Sequence, residues 1–386
     1  MKLLFHGPYK YGDSYSGNSR NLLYWLDKMG LEIVCPASYS APNWEHVPNE
    51  IPEYIAEAMD RWQTAPKPQP GKYFTFQHCV PTTFVYDPDS YMNIGYTMFE
   101  TDRIPRNWLL PSMAMDEIWT PTVWCGKTFA ATGLGKQKIR VLPCGFDPLI
   151  FNTEAKPMQL DPLAGKVVFG CCFDWTPRKN GRQTVAAFLK AFEGVEDVVL
   201  VLKCFFKFGS ENGMEYMKEQ ISSLRSATGV KGKPDIVLYP EIIPDQHMGS
   251  FYRSLDWHLS ATHGEGFNKP VVEAMACGVP SITTMWSGQT DFCNADNSLL
   301  IGDCPLGAIE SDQIQMGGME YMGAGWAMPA FDNLVENLRY AYSISKEEKA
   351  VHNELAKNCV ATAQAFTWEN VAKRAGKLME TALNER

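Results

Sequence analysis

Strand-like and helix-like segments alternate along nearly the whole sequence of 386 residues. Short, mostly apolar strands are predicted at 3–5, 31–35, 72–77, 93–98, 117–120, 139–142, 166–173, 197–204, 235–239, 257–260 and 281–284. Helices are predicted at 19–29, 123–131, 181–192, 214–227, 248–254, 270–277 and 334–344, with two more near the C-terminal end. Strands that alternate with helices in this way predict βαβ units and parallel sheets.

The alternation pauses once, in a polar and proline-containing stretch at 147–163, and then restarts. Since a chain of this length suffices for two domains of roughly 150 residues or more, we predict an α/β protein with two doubly wound, Rossmann-like domains that face a central cleft. The first is expected at 1–155 and the second at 156–367, with the last helix, about 368–386, packing back on the first domain. Because doubly wound sheets bind ligands beyond the carboxyl ends of their strands, the cleft is the expected ligand site.

Charge and composition argue against several classes of protein. The chain has 35 basic and 44 acidic residues, a formal net charge of −9, and no run of five Lys/Arg residues, which disfavours a general nucleic-acid or anionic-membrane surface. Its 11 cysteines are scattered without a C-x-x-C pair, as expected for reduced thiols in a cytoplasmic protein. No apolar run approaches the ~18 residues that a membrane span needs, so no span is expected.

The stretch HGEGFNKPVVEAMACGVP, at 263–280, combines a glycine-containing loop with a short helix. Pro270 suits the first position of a helix, and Gly278 suits the position just after its end. The free amides and the dipole at the helix start favour an anion, while Glu265 and Glu273 flank that position as acceptors for hydroxyl groups. A nucleotide sugar offers a diphosphate between two hydroxyl-bearing rings. The alternative is a capped amphipathic helix with solvated glutamates.

This stretch resembles the E-x7-E signature of the retaining GT-B glycosyltransferases of group 1 type, here as E-G-F-x-x-P-x-x-E-A-M-A-C-G-V-P. Further segments resemble the same family in the same order, at 141–147, 173–180, 243–256, 287–291 and 326–329. The resemblance therefore extends over nearly the whole chain. It implies a GT-B fold and the transfer of a sugar from a nucleotide-diphosphate sugar to a hydroxyl group, with retention of anomeric configuration.

The resemblance implies roles for the residues of the donor site. Glu265 would hold hydroxyls of the donor sugar and Glu273 those of the ribose. Lys179 and Arg178 would neutralise the departing diphosphate, although an exposed basic turn is the alternative for these two. The further donor-binding residues that it implies are Gly266, Phe267, Asn268, Ile242 and Gly288.

The sequence departs from the family at two places. Members usually carry an arginine near 172–173 as a second phosphate cation, a role that falls here to Arg178 or Arg182 or goes unfilled. Asn268 and Lys269 replace the usual Gly-Leu. Lys269 is expected either to add positive charge or to cap the loop.

The first half is expected to supply the acceptor side. Gly17, at the end of a predicted loop from 7 to 17, would let the backbone approach the donor phosphate, or the segment is a plain N-cap of the helix at 19–29. Glu100 ends a strand where many family members have a histidine. It either orients the acceptor and accepts its proton or is an ordinary carboxylate paired with Arg103. His78, at the end of the preceding strand, either belongs to the core or to a wall of the site, or it contacts the substrate.

The function that the resemblance implies is that of a metal-independent, retaining hexosyltransferase of the cytoplasm, with a UDP- or GDP-linked donor and no cofactor. The D-x-D string Asp87-Pro88-Asp89 is predicted to form a turn. The acceptor is a hydroxyl compound whose class stays open, with nucleic acid among the less favoured choices. The alternatives are a nucleotide-sugar epimerase, a phosphorylase, a glycosyltransferase that acts on a modified nucleobase in DNA, and a binding protein without turnover.

Overall fold

The computed structural model describes residues 2–36, 51–159, 163–205, 213–239 and 243–384. The chain divides into two compact units, each with its own sheet and core. The first unit comprises Met1–Phe99, Arg103–Asp147 and Ala365–Arg386, and the second comprises Glu100–Asp102 and Pro148–Gln364. After Asp147 the chain passes from the first unit into the second, close to the domain limit at 155 expected from the sequence. Glu100–Asp102 joins the second unit although it lies between two segments of the first.

Strands and helices alternate along the described chain. The strands are β1 (Lys2–His6), β2 (Glu32–Val34), β3 (Tyr73–His78), β4 (Met92–Tyr96), β5 (Glu117–Thr120), β6 (Ile139–Val141), β7 (Val167–Asp174), β8 (Val198–Phe205), β9 (Asp235–Tyr239), β10 (Trp257–Ser260), β11 (Ser281–Thr284), β12 (Ser298–Ile301), β13 (Leu306–Ala308) and β14 (Gly325–Ala327). The helices are α1 (Ser14–Lys28), α2 (Glu53–Thr64), α3 (Arg106–Ala114), α4 (Val123–Ala131), α5 (Gly181–Ala191), α6 (Gly213–Thr228), α7 (Met248–Arg253), α8 (Lys269–Ala276), α9 (Ser311–Gly317), α10 (Phe331–Glu347), α11 (Lys349–Ala363) and α12 (Trp368–Asn384). Among the described helices, none has both the length and the apolar character needed to cross a membrane.

The sheet of the first unit is parallel, in the order β2-β1-β3-β4-β5-β6. Strands β3, β4 and β5 are buried along their full length, because helices cover a doubly wound parallel sheet on both faces. The C-terminal helix α12 packs into the core of this unit through Trp368, Val371 and Ala375. Gly145 makes room for it, since a Cβ atom there would lie 2.6 Å from the Trp368 ring.

Helix α1 begins earlier than the sequence analysis predicted. Asp13 caps it, with a carboxylate that accepts the Ser16 amide at 3.0 Å. The predicted loop is therefore wrong beyond residue 13, and so is the alternative of an N-cap just before 19–29. Serine and glycine near the start suggested a loop, but the aspartate cap offsets their weak helix propensity. Gly17 lies inside the helix, where its amide donates to the Asp13 carbonyl at 2.9 Å.

The turn predicted at Asp87-Pro88-Asp89 is confirmed. Asp87 Oδ1 accepts the Asp89 amide at 3.0 Å, which closes the turn locally. Asp87 Oδ2 accepts the Tyr73 hydroxyl at 2.8 Å. Both oxygens of Asp87 are thus used by hydrogen bonds inside the first unit.

The sheet of the second unit is also parallel, in the order β12-β11-β10-β7-β8-β9. The chain runs outward from β7 to β9 and then returns to pair β10 with β7, so the strand order reverses between β7 and β10. The predicted bounds of β9, β10 and β11 are confirmed. Helices α5, α6 and α10 share a core with this sheet that includes Phe169, Phe188 and Leu338. Strands β13 and β14 form a separate antiparallel pair.

Candidate functional site

The candidate site lies at the carboxyl ends of β7 and β10, where the strand order of the second sheet reverses. The loop after β7 carries Arg178 and Lys179 in a 3-10 turn, and the loop after β10 carries Glu265. The His263 amide donates to the Arg178 carbonyl at 2.8 Å and so joins the two loops. Doubly wound sheets bind their ligands at such reversal points. The fold therefore brings three predicted donor-site residues to a ligand-binding position.

Two helices begin at this end of the sheet, each after an asparagine in the left-handed conformation. Asn180 precedes α5 with a φ of 55°, and Asn268 precedes α8 with a φ of 73°. Asn180 donates to the Ala261 carbonyl at 2.9 Å, and Asn268 to the Ser260 hydroxyl at 2.8 Å, so both are tied to the end of β10. In the described part of the chain, neither side chain caps its own helix. Both first turns therefore keep amides that suit an anion such as a diphosphate.

Glu265 is buried between two cations. Its Oε1 lies 2.7 Å from Lys179 Nζ and its Oε2 lies 3.0 Å from Arg178 Nη1, with 8% of its side chain exposed. Burial would raise the pKa of Glu265, but the charges and hydrogen bonds of Arg178 and Lys179 outweigh it and hold that pKa below its usual value. Glu265 is thus an ionised acceptor. The alternative of an exposed basic turn is wrong, because the two cations are 14% and 12% exposed.

Arg178 is shared by two carboxylates. Its Nη2 lies 3.7 Å from Glu100 Oε1, and its Nη1, besides contacting Glu265, donates to the Gly264 carbonyl at 2.7 Å. Burial disfavours the charged form of Arg178, yet Glu265 and Glu100 outweigh it and raise its pKa. Arg182, the other arginine considered for this charge, lies on the exposed face of α5. Arg178 is therefore the second cation of the site.

Glu100 joins Arg178, Lys179 and Glu265 of the second unit, and these four side chains form the charge cluster. The Tyr321 hydroxyl donates to Glu100 Oε2 at 3.3 Å, while Glu100 Oε1 faces Arg178. The sequence analysis did not identify Tyr321, because no motif marks it and 221 residues separate it from Glu100. A carboxylate with one oxygen facing a cation and the other accepting a hydroxyl is held in a defined direction.

The loop after β11 supports the backbone of the site. The Gly288 amide donates to the Glu265 carbonyl at 2.9 Å, and a Cβ atom on Gly288 would lie 2.2 Å from the Gly266 carbonyl oxygen. Phe267 is 3% exposed and packs against Phe292, with ring centroids 5.3 Å apart. Gly288 and Phe267 are thus supports of the loop that carries Glu265.

Gly264→Ala is expected to destabilise the protein by about 2 kcal/mol or more, because a side chain here meets main chain that cannot easily move. A Cβ atom on Gly264 would lie 2.0 Å from the Glu100 carbonyl oxygen and 2.9 Å from the Trp286 ring. Gly302→Ala is the matched control, since the nearest atom to its Cβ would be 3.9 Å away. Urea unfolding compares the two variants, and equal stabilities would contradict the close approach.

Glu273 lies on α8 and is buried beside Tyr252. The Tyr252 hydroxyl donates to its Oε2 at 3.0 Å, and Lys269 Nζ lies 3.4 Å from its Oε1. Burial raises the pKa of Glu273, and the charge of Lys269 and the Tyr252 hydrogen bond offset this only in part. Lys269 thus pairs with Glu273. A buried acid whose ionised form is disfavoured is typical of functional sites.

Glu273→Gln is expected to make the protein more stable at pH 7. The folded state holds the proton of Glu273 more firmly than the unfolded state, so the contribution of this group falls as pH rises from its usual pKa of 4.5 through the raised folded value. Glutamine removes that cost and can still accept from Tyr252, so the gain should shrink toward pH 4. Thermal unfolding against pH measures it, with the exposed Glu354→Gln on α11 as control. A lower stability at pH 7 would contradict the raised pKa.

His78 is buried in the first unit at the end of β3, in agreement with the expected core or wall role. Its ring lies between Tyr15 and Tyr96, with centroids 4.9 and 4.8 Å away. The Ser19 hydroxyl oxygen lies 2.8 Å from His78 Nδ1 and 3.0 Å from the Tyr15 carbonyl oxygen. Among the described residues, His78 Nε2 has no hydrogen-bond partner. Burial lowers the pKa of His78 to about 3, so the ring is neutral at physiological pH.

The second unit contains most of the residues that the sequence analysis assigned to catalysis and donor binding. They are Glu100, Arg178, Lys179, Glu265, Gly266, Phe267, Asn268, Glu273 and Gly288. Gly17 lies in the first unit, within α1, and Ile242 lies outside the described residues. The sequence analysis missed Tyr321, which contacts Glu100, and Tyr252, which contacts Glu273.

The two doubly wound parallel sheets define the GT-B class of fold, which confirms the predicted fold class. HepE from Anabaena, solved in complex with UDP-glucose, matches with a TM-score of 0.64 at 12% identity, over 99% of this chain and 100% of that chain. Sucrose-phosphate synthase from Thermosynechococcus elongatus matches with a TM-score of 0.63 at 14% identity, over 100% of both chains. At such identities these likenesses show the fold alone.

Residues 179–308 match the family described as Glycosyl transferases group 1. The matched segment begins at Lys179 and includes Glu265 and Glu273. Over 262 residues, 66% of this chain, the sequence is 23% identical to D-inositol 3-phosphate glycosyltransferase from Acidothermus cellulolyticus. The chain spans about half, 50%, of the length of this curated relative. The segment that matches this family model therefore lies within the second unit.

Proposed function

We propose that the protein is a retaining glycosyltransferase that moves a hexosyl group from a UDP- or GDP-linked sugar to a hydroxyl acceptor. The observation that carries the proposal is the buried Glu265, paired with Lys179 and Arg178 at the reversal point of the second sheet. Two cations beside a carboxylate suit a ligand that joins a diphosphate to a hydroxyl-bearing sugar. The family match supports it, as do relatives named a glycosyltransferase or solved with UDP-glucose.

The donor diphosphate is expected at the first-turn amides of α5 and α8, within reach of Lys179 and Arg178. Glu265 then exchanges its ion pairs for hydrogen bonds from the hydroxyls of the donor sugar. Without donor, these pairs keep the cations in place, because breaking a buried pair costs about 3–5 kcal/mol. Glu273 accepts the hydroxyls of the ribose.

Transfer breaks the bond between the anomeric carbon and the diphosphate oxygen, and it forms a bond from that carbon to the acceptor oxygen on the same face. The acceptor hydroxyl gives its proton to the leaving diphosphate oxygen. Lys179 and Arg178 stabilise the negative charge that grows on the diphosphate. Positioning and charge stabilisation by these groups supply what a metal ion supplies in other transferases, so we propose a reaction without metal or cofactor.

We assign donor binding to the second unit, predicted from the sequence at 156–367. We assign acceptor binding to the first unit, predicted at 1–155. The ring of His78 in the first unit is neutral, and its Nε2 has no hydrogen-bond partner among the described residues, so it suits a hydroxyl compound more than an anion. All 11 cysteines are free thiols, which suits the proposed cytoplasmic location.

A donor screen on the full chain tests the proposal. The protein is incubated with UDP-, GDP-, ADP- and CDP-linked sugars in the presence of EDTA, and thermal stabilisation and slow release of sugar are measured. One class of donor should stabilise the protein and be hydrolysed, and the first-formed sugar should keep the donor's anomeric configuration by NMR. Absence of both effects with every donor would contradict the proposal. An epimerised sugar nucleotide, formed without acceptor, would favour the epimerase alternative.

A further inference from the structure

The segment 306–327 of the second unit folds back so that Tyr321 contacts the charge cluster. It contains β13, α9, the 3-10 turn Met319–Tyr321 and β14. The Tyr321 hydroxyl donates to Glu100 Oε2 at 3.3 Å, and its ring lies beside Trp326, with centroids 6.0 Å apart. Burial, and then the charge of Glu100, raises the pKa of Tyr321. The hydroxyl therefore stays protonated and remains a donor to the carboxylate.

The main chain around Glu100 is held by contacts that do not involve this tyrosine. The Asp102 amide donates to the Gly325 carbonyl at 2.9 Å, and the Gly325 amide donates to Asp102 Oδ1 at 2.7 Å. Gly264, which has no side chain, lets the Glu100 carbonyl approach the site loop. Because the backbone is fixed at both places, the Tyr321 hydroxyl acts on the direction of the Glu100 side chain.

Arg178 has unequal contacts with its two carboxylates. The distance of 3.0 Å to Glu265 is that of a hydrogen bond, whereas the 3.7 Å to Glu100 is too long for one. These three side chains are 8 to 19% exposed, and charges attract strongly where water is largely excluded. A Glu100 carboxylate released from Tyr321 would therefore turn toward Arg178 and compete with Glu265 for it.

We propose that Tyr321 is a positioning residue of the site: by holding Glu100 Oε2, it keeps Glu100 from drawing Arg178 away from Glu265. Arg178 then stays beside Lys179, where the leaving diphosphate needs a second cation, and Glu100 balances its charge from a longer distance. The loss of turnover expected without Tyr321 rests on the proposed function, whereas the movement of the Glu100 side chain expected without Tyr321 does not.

Crystal structures of the wild-type protein and of Tyr321→Phe test the geometry. In the variant, Glu100 is expected to move to within about 3 Å of Arg178, and the distance between Arg178 and Glu265 is expected to increase. A Glu100 carboxylate that keeps its position in the variant overturns the proposal, whether or not the protein transfers sugar.

Steady-state kinetics of the full chain test the effect of Tyr321 on turnover. The substrate is the donor that the wild-type protein hydrolyses. Tyr321→Phe is expected to lower kcat about tenfold and to change KM less than about twofold. The reason is that a displaced Arg178 orients the reacting diphosphate poorly but still attracts the donor. In a Glu100→Gln background, where no charge competes for Arg178, the same substitution should cause no further loss. Tyr340→Phe, on the exposed side of α10, is the matched control.

The double-variant result separates positioning from general support of the fold. Additive losses of kcat from Tyr321→Phe and Glu100→Gln overturn the proposal, as does an equal loss in the Tyr340→Phe control. If no donor stabilises the wild-type protein and none is hydrolysed, the proposed function fails. The pair of crystal structures then decides on Tyr321 by itself.

Discussion

Glu265→Gln is expected to lower the turnover of the donor by about 100- to 1,000-fold, the usual effect of removing one group that stabilises charge in a transition state. The carboxylate accepts from sugar hydroxyls as positive charge develops on the ring, and a neutral amide does this poorly. Binding of UDP should be unchanged or tighter. Lys179 and Arg178 lose the counter-ion that now contacts both of them, at 2.7 and 3.0 Å, and so attract a diphosphate more strongly.

Initial rates of donor hydrolysis and calorimetry with UDP measure these two effects. The variant removes the carboxylate that two buried cations share and leaves Arg178 with its longer contact to the Glu100 carboxylate, at 3.7 Å. Its unfolding temperature should therefore fall, and saturating UDP should restore part of it. Glu354→Gln, on the exposed face of α11, is the control for a loss of one surface charge. Turnover of the variant within tenfold of the wild-type value would show that Glu265 is not a catalytic residue. Weaker binding of UDP would contradict the competition between Glu265 and the diphosphate.

Lys179→Ala is expected to show the opposite pattern, with a donor Kd raised roughly 10- to 100-fold. A hydrogen bond to a charged group contributes about 1.5–3 kcal/mol, and about 1.4 kcal/mol corresponds to a factor of ten in affinity. Arg178 remains to keep Glu265 ionised, so the fold should persist. Calorimetry with UDP and with the donor measures the change.

The matched control for Lys179→Ala is Lys190→Ala, in the last turn of α5. Lys190 lies at the surface, 3.4 Å from Glu193, with about half of each side chain exposed, 52% and 54%, and exposed pairs of this kind contribute little. Its loss should leave the donor Kd unchanged. A Lys179→Ala protein that binds UDP as tightly as the control would show that this lysine does not contact the diphosphate.

The parallel sheets could be predicted from the sequence because each strand is a short apolar run between turn residues. Strands β9, β10 and β11 begin and end where predicted. Helix α2 was not predicted, although Ile55, Ala58, Met59 and Trp62 follow helical spacing. Helix α3 was missed for a physical reason, since it contains Pro111, and proline inside a helix normally ends it.

The candidate site could be predicted only in part. The motifs identified Glu265, Lys179 and Arg178, but they assigned Glu265 to the donor sugar and the two cations to the diphosphate. They did not predict that Glu265 pairs with both cations. That pairing follows from burial, because a buried carboxylate needs compensating charges. The contact between Tyr321 and Glu100 could not be predicted, since it depends on how the segment 306–327 folds back over a separation of 221 residues.

A crystal structure of the full chain, bound to the sugar nucleotide that the donor screen selects, tests the central claim most directly. The diphosphate oxygens should lie within about 3 Å of Lys179 Nζ, of the Arg178 guanidinium and of amides at the start of α5 or α8. Glu265 should face the sugar hydroxyls, and Glu273 the ribose. A nucleotide bound elsewhere on the protein, or bound here with its diphosphate turned away from Lys179 and Arg178, would contradict the account.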